Sequence, residues 1–140
     1  MMHHNSSAIL KKRKYQPTIL VVEDDSDNLT YIAAALERLD CHCLTARNAM
    51  EGLSIAQKWQ PGLLLVDIEM TGVSGIELLK ILRLDWLTRT IPVVAVTALS
   101  EDRERDAIAQ AGFDDCLLKP YSLAELEILI SAYFADASLI

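Results

Sequence analysis

From Thr18 onward, short apolar runs alternate about five times with stretches in which apolar residues recur every three or four positions. The runs are Thr18 to Val22, Cys43 to Ala46, Leu63 to Val66 leading into Asp67, Ile91 to Val96, and Asp115 to Leu118. Unbroken apolar runs bounded by turn residues predict strands covered on both faces, and helical patterns between them predict parallel βαβ units. The spacing predicts a first helix over about Ser26 to Leu39, with Leu29, Ile32, Ala33, Leu36 and Leu39 on one stripe. Asn48 with Glu51, Ser74 with Glu77, and Ser122 with Glu125 each place a capping residue three positions before a carboxylate able to reach back to the cap amide. These pairs mark the starts of helices two, three and five. A fourth helix over about Glu101 to Ala111 stops at Gly112, which suits a left-handed C-terminal cap. Leu126, Leu129, Ile130 and Tyr133 give the fifth helix its apolar side, and Pro92 falls near the start of the fourth strand, where a missing ladder donor is tolerated.

This rhythm changes before Pro17. Residues 1–16 contain His3-His4-Asn5-Ser6-Ser7 and the basic run Lys11-Lys12-Arg13-Lys14, with only Ala8-Ile9-Leu10 apolar. They are read as a disordered leader, native or introduced by cloning, and residues 17–140 as one domain. A chain of 140 residues, 51% hydrophobic and 24% charged, can bury a substantial core without disulfides or a structural metal. The formal net charge of −7 argues against direct nucleic-acid contact, and the basic run is read as a solvated arm. No apolar run is long enough to span a bilayer and no secretory core follows the basic residues, so no membrane partner and a cytoplasmic location are expected. Three cysteines, an odd number, fit a reducing compartment. Cys41 and Cys43 lack the second pair that a zinc site would need.

Chemistry enters at the ends of the strands. Strand one ends in Glu23-Asp24, strand three in Asp67, strand four in Thr97 and strand five in Lys119. In open parallel sheets ligands bind beyond the carboxyl ends of the strands. Taken singly, an Asp after a strand commonly caps a helix and a lone Lys is commonly solvated. Capping does not explain why acids, a hydroxyl and an amine all fall at one sheet edge. Packed carboxylates repel and raise one another's pKa unless a cation lies between them. Mg²⁺ is the hard ion suited to Asp24, Asp67 and the Glu69 carbonyl, with Glu23 acting through water. Lys119 offers a point charge and Thr97 a hydroxyl to the oxygens of a phosphoryl group on Asp67.

Val21-Val22-Glu23-Asp24-Asp25, Leu65-Val66-Asp67-Ile68-Glu69-Met70 with Gly75, Val96-Thr97-Ala98 and Lys119-Pro120 together resemble the receiver domain of two-component response regulators, over about Pro17 to Phe134. The resemblance implies a flavodoxin-like, doubly wound parallel sheet of five strands in order 2-1-3-4-5 with five helices. By the same carry-over Asp67 is the phosphoacceptor, Glu23 and Asp24 the acidic pocket, Glu69 the carbonyl ligand to Mg²⁺, Thr97 the switch hydroxyl and Lys119 the phosphate counter-ion. Lys119-Pro120 is expected to be cis. Three positions depart from the family's pattern. Thr71 stands where proline usually follows the methionine and Ser74 where aspartate is frequent, and both are expected to leave the site's chemistry untouched. Cys116 replaces the aromatic residue that swings inward on phosphorylation, so the usual ring switch is not expected.

The function implied is acceptance of a phosphoryl group from a sensor histidine kinase or histidine phosphotransfer protein, followed by a changed surface for a downstream protein, an output module or a second copy. Such a domain is not an enzyme beyond self-catalysed phosphorylation and dephosphorylation. The alternative is a phosphohydrolase of the haloacid-dehalogenase type, which also forms an aspartyl phosphate. That type usually carries a second Asp two residues on, where this chain has Glu69, and there is no cap insertion. A flavodoxin is a weaker reading, since no Ser/Thr-rich phosphate loop follows strand one. With only Ala135 to Ile140 beyond the fifth helix, output is expected through protein contacts or through a larger regulator or hybrid kinase.

Overall fold

A computed structural model describes residues 16–98 and 102–134. The elements run β1 (Thr18–Val22), α1 (Ser26–Arg38), β2 (His42–Ala46), α2 (Ala49–Trp59), β3 (Leu63–Asp67), α3 (Gly75–Leu84), β4 (Val93–Thr97), α4 (Asp102–Ala111), β5 (Asp115–Leu118) and α5 (Leu123–Phe134). The five strands are all parallel in the order β2-β1-β3-β4-β5. The predicted leader, apart from Gln16, lies outside the described residues, as do Glu101 and the last six residues.

Two apolar layers sandwich the sheet. Ile19, Val21, Leu63, Leu65, Val94 and Val96 pack with α1 and α5 on one face, whereas Leu20, Val22, Leu64, Val66, Val93 and Ala95 pack with α2, α3 and α4 on the other. Every residue of β3 and β4 is buried, which is why those strands are apolar without alternation. Truncating a central side chain such as Leu64 to Ala should cost about 2–5 kcal/mol, because so enclosed a site cannot collapse around the cavity.

The helix starts follow the caps, with one difference. Ser74 and Ser122 make reciprocal boxes with Glu77 and Glu125, with all four bonds between 2.9 and 3.2 Å. Asn48 accepts from the Glu51 N–H at 2.9 Å, but the Glu51 carboxylate reaches past the cap to the Arg47 N–H at 2.7 Å. In α1, Ala35 and not Ala33 joins the buried stripe, and in α5 Phe134 is buried more fully than Tyr133. β4 begins at Val93, after Pro92, and includes Thr97.

Gly75 sets how α3 meets the sheet. A Cβ there would lie 2.7 Å from the Asp67 carbonyl oxygen and 3.0 Å from the Ile68 Cα, backbone atoms with no room to yield. The absent side chain lets the first turn of α3 press directly against the end of β3, where Asp67 sits.

Candidate phosphoryl and metal site

Four of the five strand ends converge on the carboxyl edge of the sheet. Parallel register places Val22 beside Val66 and Asp67 beside Val96, so Glu23 and Asp24 leave β1 next to Asp67, and Thr97 follows on the adjoining strand. Thr97 pairs with Leu118, and its carbonyl accepts the Lys119 N–H at 2.8 Å, which fixes the lysine at the same level. The following Lys119-Pro120 bond is cis, as the sequence led us to expect.

The carboxylates of Glu23, Asp24 and Asp67 each offer an oxygen within 4.8 Å of the others. Glu23 and Asp67 are buried, whereas Asp24 is half-exposed. Burial, reinforced by the neighbouring Asp67 carboxyl, pushes Glu23 up to about 6. Lys119 Nζ stands 3.3 Å from Glu23 Oε1 and 3.7 Å from Asp67 Oδ2, so one ammonium faces two acids. Its charge lowers the repulsion without cancelling it. This donor set, hard oxygens in excess of cations at a solvent-reachable edge, fits Mg²⁺. The Glu69 N–H donates to Asp67 Oδ1 at 3.0 Å, which holds the Glu69 backbone beside the acidic group.

One feature corrects the sequence reading. Thr71 does not leave the site untouched, because its N–H and its hydroxyl both donate to Asp24 Oδ2, at 2.9 and 3.0 Å. The N–H bond is the main reason the Asp24 carboxyl titrates below its usual range. Proline has neither donor. Spacing alone gave no sign of this contact, since Thr71 reaches Asp24 only once the segment after β3 folds back over β1. Ser74 is occupied as the α3 cap.

Beside Asp67 a cavity of about 400 Å³ opens between α1 and the segment after β5, with Tyr31, Ala98, Pro120 and Tyr121 among its walls. The Tyr31 and Tyr121 rings lie 5.8 Å apart and the Tyr31 hydroxyl donates to the Tyr121 carbonyl at 3.4 Å, joining the two walls. Sequence reasoning passed over this aromatic pair because its members are 90 residues apart.

Cys116 lies on the α4 side of the sheet, half-buried against the layer that contains Ile108 and Phe113. Burial, with Asp115 beside it, pushes its thiol up. A raised thiol is a poor nucleophile at neutral pH, which favours a packing role over a redox one.

The chain matches the response regulator receiver domain model over residues 19–131. It is 33% identical over 120 residues to the polar-differentiation response regulator DivK of Brucella anthropi, spanning 86% of this chain and 98% of DivK. With the phosphate regulon transcriptional regulatory protein PhoB of Pseudomonas aeruginosa it shares 36% identity over 115 residues, 82% of this chain but about half (50%) of PhoB. Among solved structures, the receiver domain of a Pseudomonas aeruginosa sensor histidine kinase, with a magnesium ion coordinated in its active-site cleft, superposes with a TM-score of 0.80 at 26% identity, covering 86% of this chain and 99% of that one. A response regulator from Chloroflexus aurantiacus gives 0.81 at 28% identity, with 86% and 99% covered. The haloacid-dehalogenase reading finds no support in these likenesses. Among the described residues no helix is long and apolar enough to cross a membrane.

Proposed function

Because the chain belongs to the response regulator receiver family, matched over residues 19–131, we propose that Asp67 is its phosphoacceptor, with Thr97 and Lys119 directed to the phosphoryl oxygens. The observation that supports this most is the grouping of Glu23, Asp24 and Asp67 within 4.8 Å, together with Lys119 at 3.7 Å from Asp67, at the sheet's carboxyl edge. Its work is signalling by phosphorylation in a two-component system. The donor is a sensor histidine kinase or a histidine phosphotransfer protein.

In the transfer step a carboxylate oxygen of Asp67 bonds to phosphorus as the bond from phosphorus to the donor's imidazole nitrogen breaks. The bonding pair leaves with that nitrogen. Asp24, Asp67 and the Glu69 carbonyl, with Glu23 acting through water, would hold Mg²⁺, which when bound would supply charge neutralisation for the acids and the phosphoryl oxygens. The Glu69 N–H orients Asp67 through Oδ1. Lys119, already between Glu23 and Asp67, turns its charge to the incoming phosphoryl group, and the buried Thr97 supplies a hydroxyl on the next strand. Movement of Thr97 would then pass to α4 and change the surface that a downstream protein, an output module or a second copy reads.

Incubation with acetyl phosphate tests the reading. With Mg²⁺ the intact protein should gain the mass of one phosphoryl group, and with EDTA in place of the metal it should gain almost none. Equal labelling with and without the metal would overturn the metal assignment, and no labelling at all would overturn the phosphoacceptor.

A further inference from the structure

Each carboxylate of the acidic group is held by a backbone N–H. Glu23 Oε2 accepts from the Asp25 N–H at 3.1 Å, Asp67 Oδ1 from the Glu69 N–H at 3.0 Å, and Asp24 Oδ2 from the Thr71 N–H at 2.9 Å. On Asp24 the same oxygen takes a second donor, the Thr71 hydroxyl, at 3.0 Å. An ionised carboxylate oxygen offers two lone-pair sites, and on Oδ2 Thr71 fills both. Acceptance of a phosphoryl group by Asp67 gives this second bond no task.

Thr71 is exposed, so its hold on Asp24 depends on the chain around it and not on burial. Met70, just before it, is buried in the apolar layer that packs with α3, and Gly72, just after it, takes a left-handed φ of 76° that glycine adopts without strain. The Gly75 N–H donates to the Ile68 carbonyl at 3.4 Å, and the Ser74–Glu77 box fixes the start of α3. Thr71 is therefore carried on a segment anchored on both sides. Its β-branched side chain has few rotamers to lose, so a hydroxyl aimed at Oδ2 stays there at small entropic cost.

Magnesium and calcium make different demands on such a carboxylate. Mg²⁺ is small, requires a near-octahedral shell and is satisfied by one or two carboxylates with waters filling the rest. Ca²⁺ gathers about six to eight oxygens in a flexible shell and readily takes both oxygens of one carboxylate. With Oδ2 committed to Thr71, Asp24 can give a cation at most one oxygen and cannot swing to add the second.

Given the Mg²⁺ site proposed above, on which this rests, we infer that Thr71 is a positioning residue whose hydroxyl confines Asp24 to one-oxygen binding and so sets the site's preference for Mg²⁺ over Ca²⁺. Proline, usual at this position in the family, has neither donor and cannot supply the restraint.

Calorimetric titration of the full chain with magnesium chloride and with calcium chloride tests this. The unaltered protein should bind Mg²⁺ more tightly than Ca²⁺. Thr71→Val keeps the N–H and puts a methyl where the hydroxyl was, which also keeps water out of that place. Losing a partner of a metal ligand costs about tenfold in affinity, and losing one of two such bonds is half of that in free energy, so the ratio of the Ca²⁺ to the Mg²⁺ dissociation constant should fall roughly threefold. Thr71→Ala should move the ratio in the same direction, and Thr71→Ser, which keeps the hydroxyl, should preserve it. In an Asp24→Asn background Thr71→Val should leave the ratio unchanged, because Thr71 acts through Asp24. Circular dichroism should show each variant folded. An unaltered protein that binds neither ion would overturn the Mg²⁺ site itself. Mg²⁺ binding with an unchanged ratio in both Thr71→Val and Thr71→Ala would overturn the role of Thr71 and leave the site standing. So would an equal fall in Thr71→Ser, or an unaltered protein that favours Ca²⁺.

Discussion

Thr71 donates both its backbone N–H and its hydroxyl to a single oxygen of Asp24, at 2.9 and 3.0 Å, and so ties the segment after β3 to the acidic end of β1. Asp24 is thereby held ionised and pointed. Thr71→Pro removes both donors. We expect the Asp24 carboxyl of the metal-free variant to titrate at higher pH than in the unaltered protein, followed by NMR of its carboxyl carbon. Because the partner that orients a ligand is gone, Mg²⁺ affinity should fall on the order of tenfold. A variant with unchanged titration and unchanged affinity would show that the two bonds do no positioning.

Mg²⁺ should stabilise the folded protein and not the unfolded chain, in which the acids are far apart. At a hundredfold excess over Kd, mass action gives about 2.7 kcal/mol, visible as a rise in Tm. Asp24→Asn and Asp67→Asn should each shrink that rise; in the metal-free protein Asp67→Asn should raise the Tm by removing one of three crowded acids, whereas Asp24→Asn should not, because the Asp24 charge is already stabilised by its two bonds from Thr71. A full metal response in both variants would refute the ligand set.

How much of this was legible in the sequence depends on range. The strands, their parallel order and the convergence of Glu23, Asp24, Asp67, Thr97 and Lys119 followed from periodicity, from strand ends and from the family resemblance, because each signal is local or repeated in fixed order. The Thr71–Asp24 contact spans 47 residues and the Tyr31–Tyr121 contact 90, and no periodic pattern encodes either. The Glu51 carboxylate bonded Arg47, outside the cap, because a flexible side chain chooses among nearby amides.

Gly75→Ala should disturb the site from behind. The added methyl would meet the Asp67 carbonyl at 2.7 Å, so β3 and α3 must separate. We expect a loss of about 1–3 kcal/mol in chemical denaturation, together with slower labelling by acetyl phosphate. Retention of both stability and labelling rate would show that the contact relaxes at no cost.

Cys116 offers a test of how the signal leaves the site. Its half-buried thiol is raised by burial and by Asp115, so at pH 8 iodoacetamide should modify it far more slowly in the folded protein than in denaturant. Without a ring at this position, a shift of Thr97 must reach α4 through backbone and packing. Cys116→Ala should leave the amide shifts induced in α4 by beryllofluoride largely intact, whereas Thr97→Ala should weaken them without abolishing labelling. The reverse pattern would make Cys116 itself the switch.

The central claim is that the phosphoryl group is carried by Asp67. The most direct measurement labels the protein with acetyl phosphate and Mg²⁺, traps the acyl phosphate by borohydride reduction and locates the altered residue by peptide mass spectrometry, with Asp67→Asn in parallel. The account predicts modification at Asp67 in the unaltered protein and none in Asp67→Asn. Modification at another residue, or equal labelling of Asp67→Asn, would contradict it.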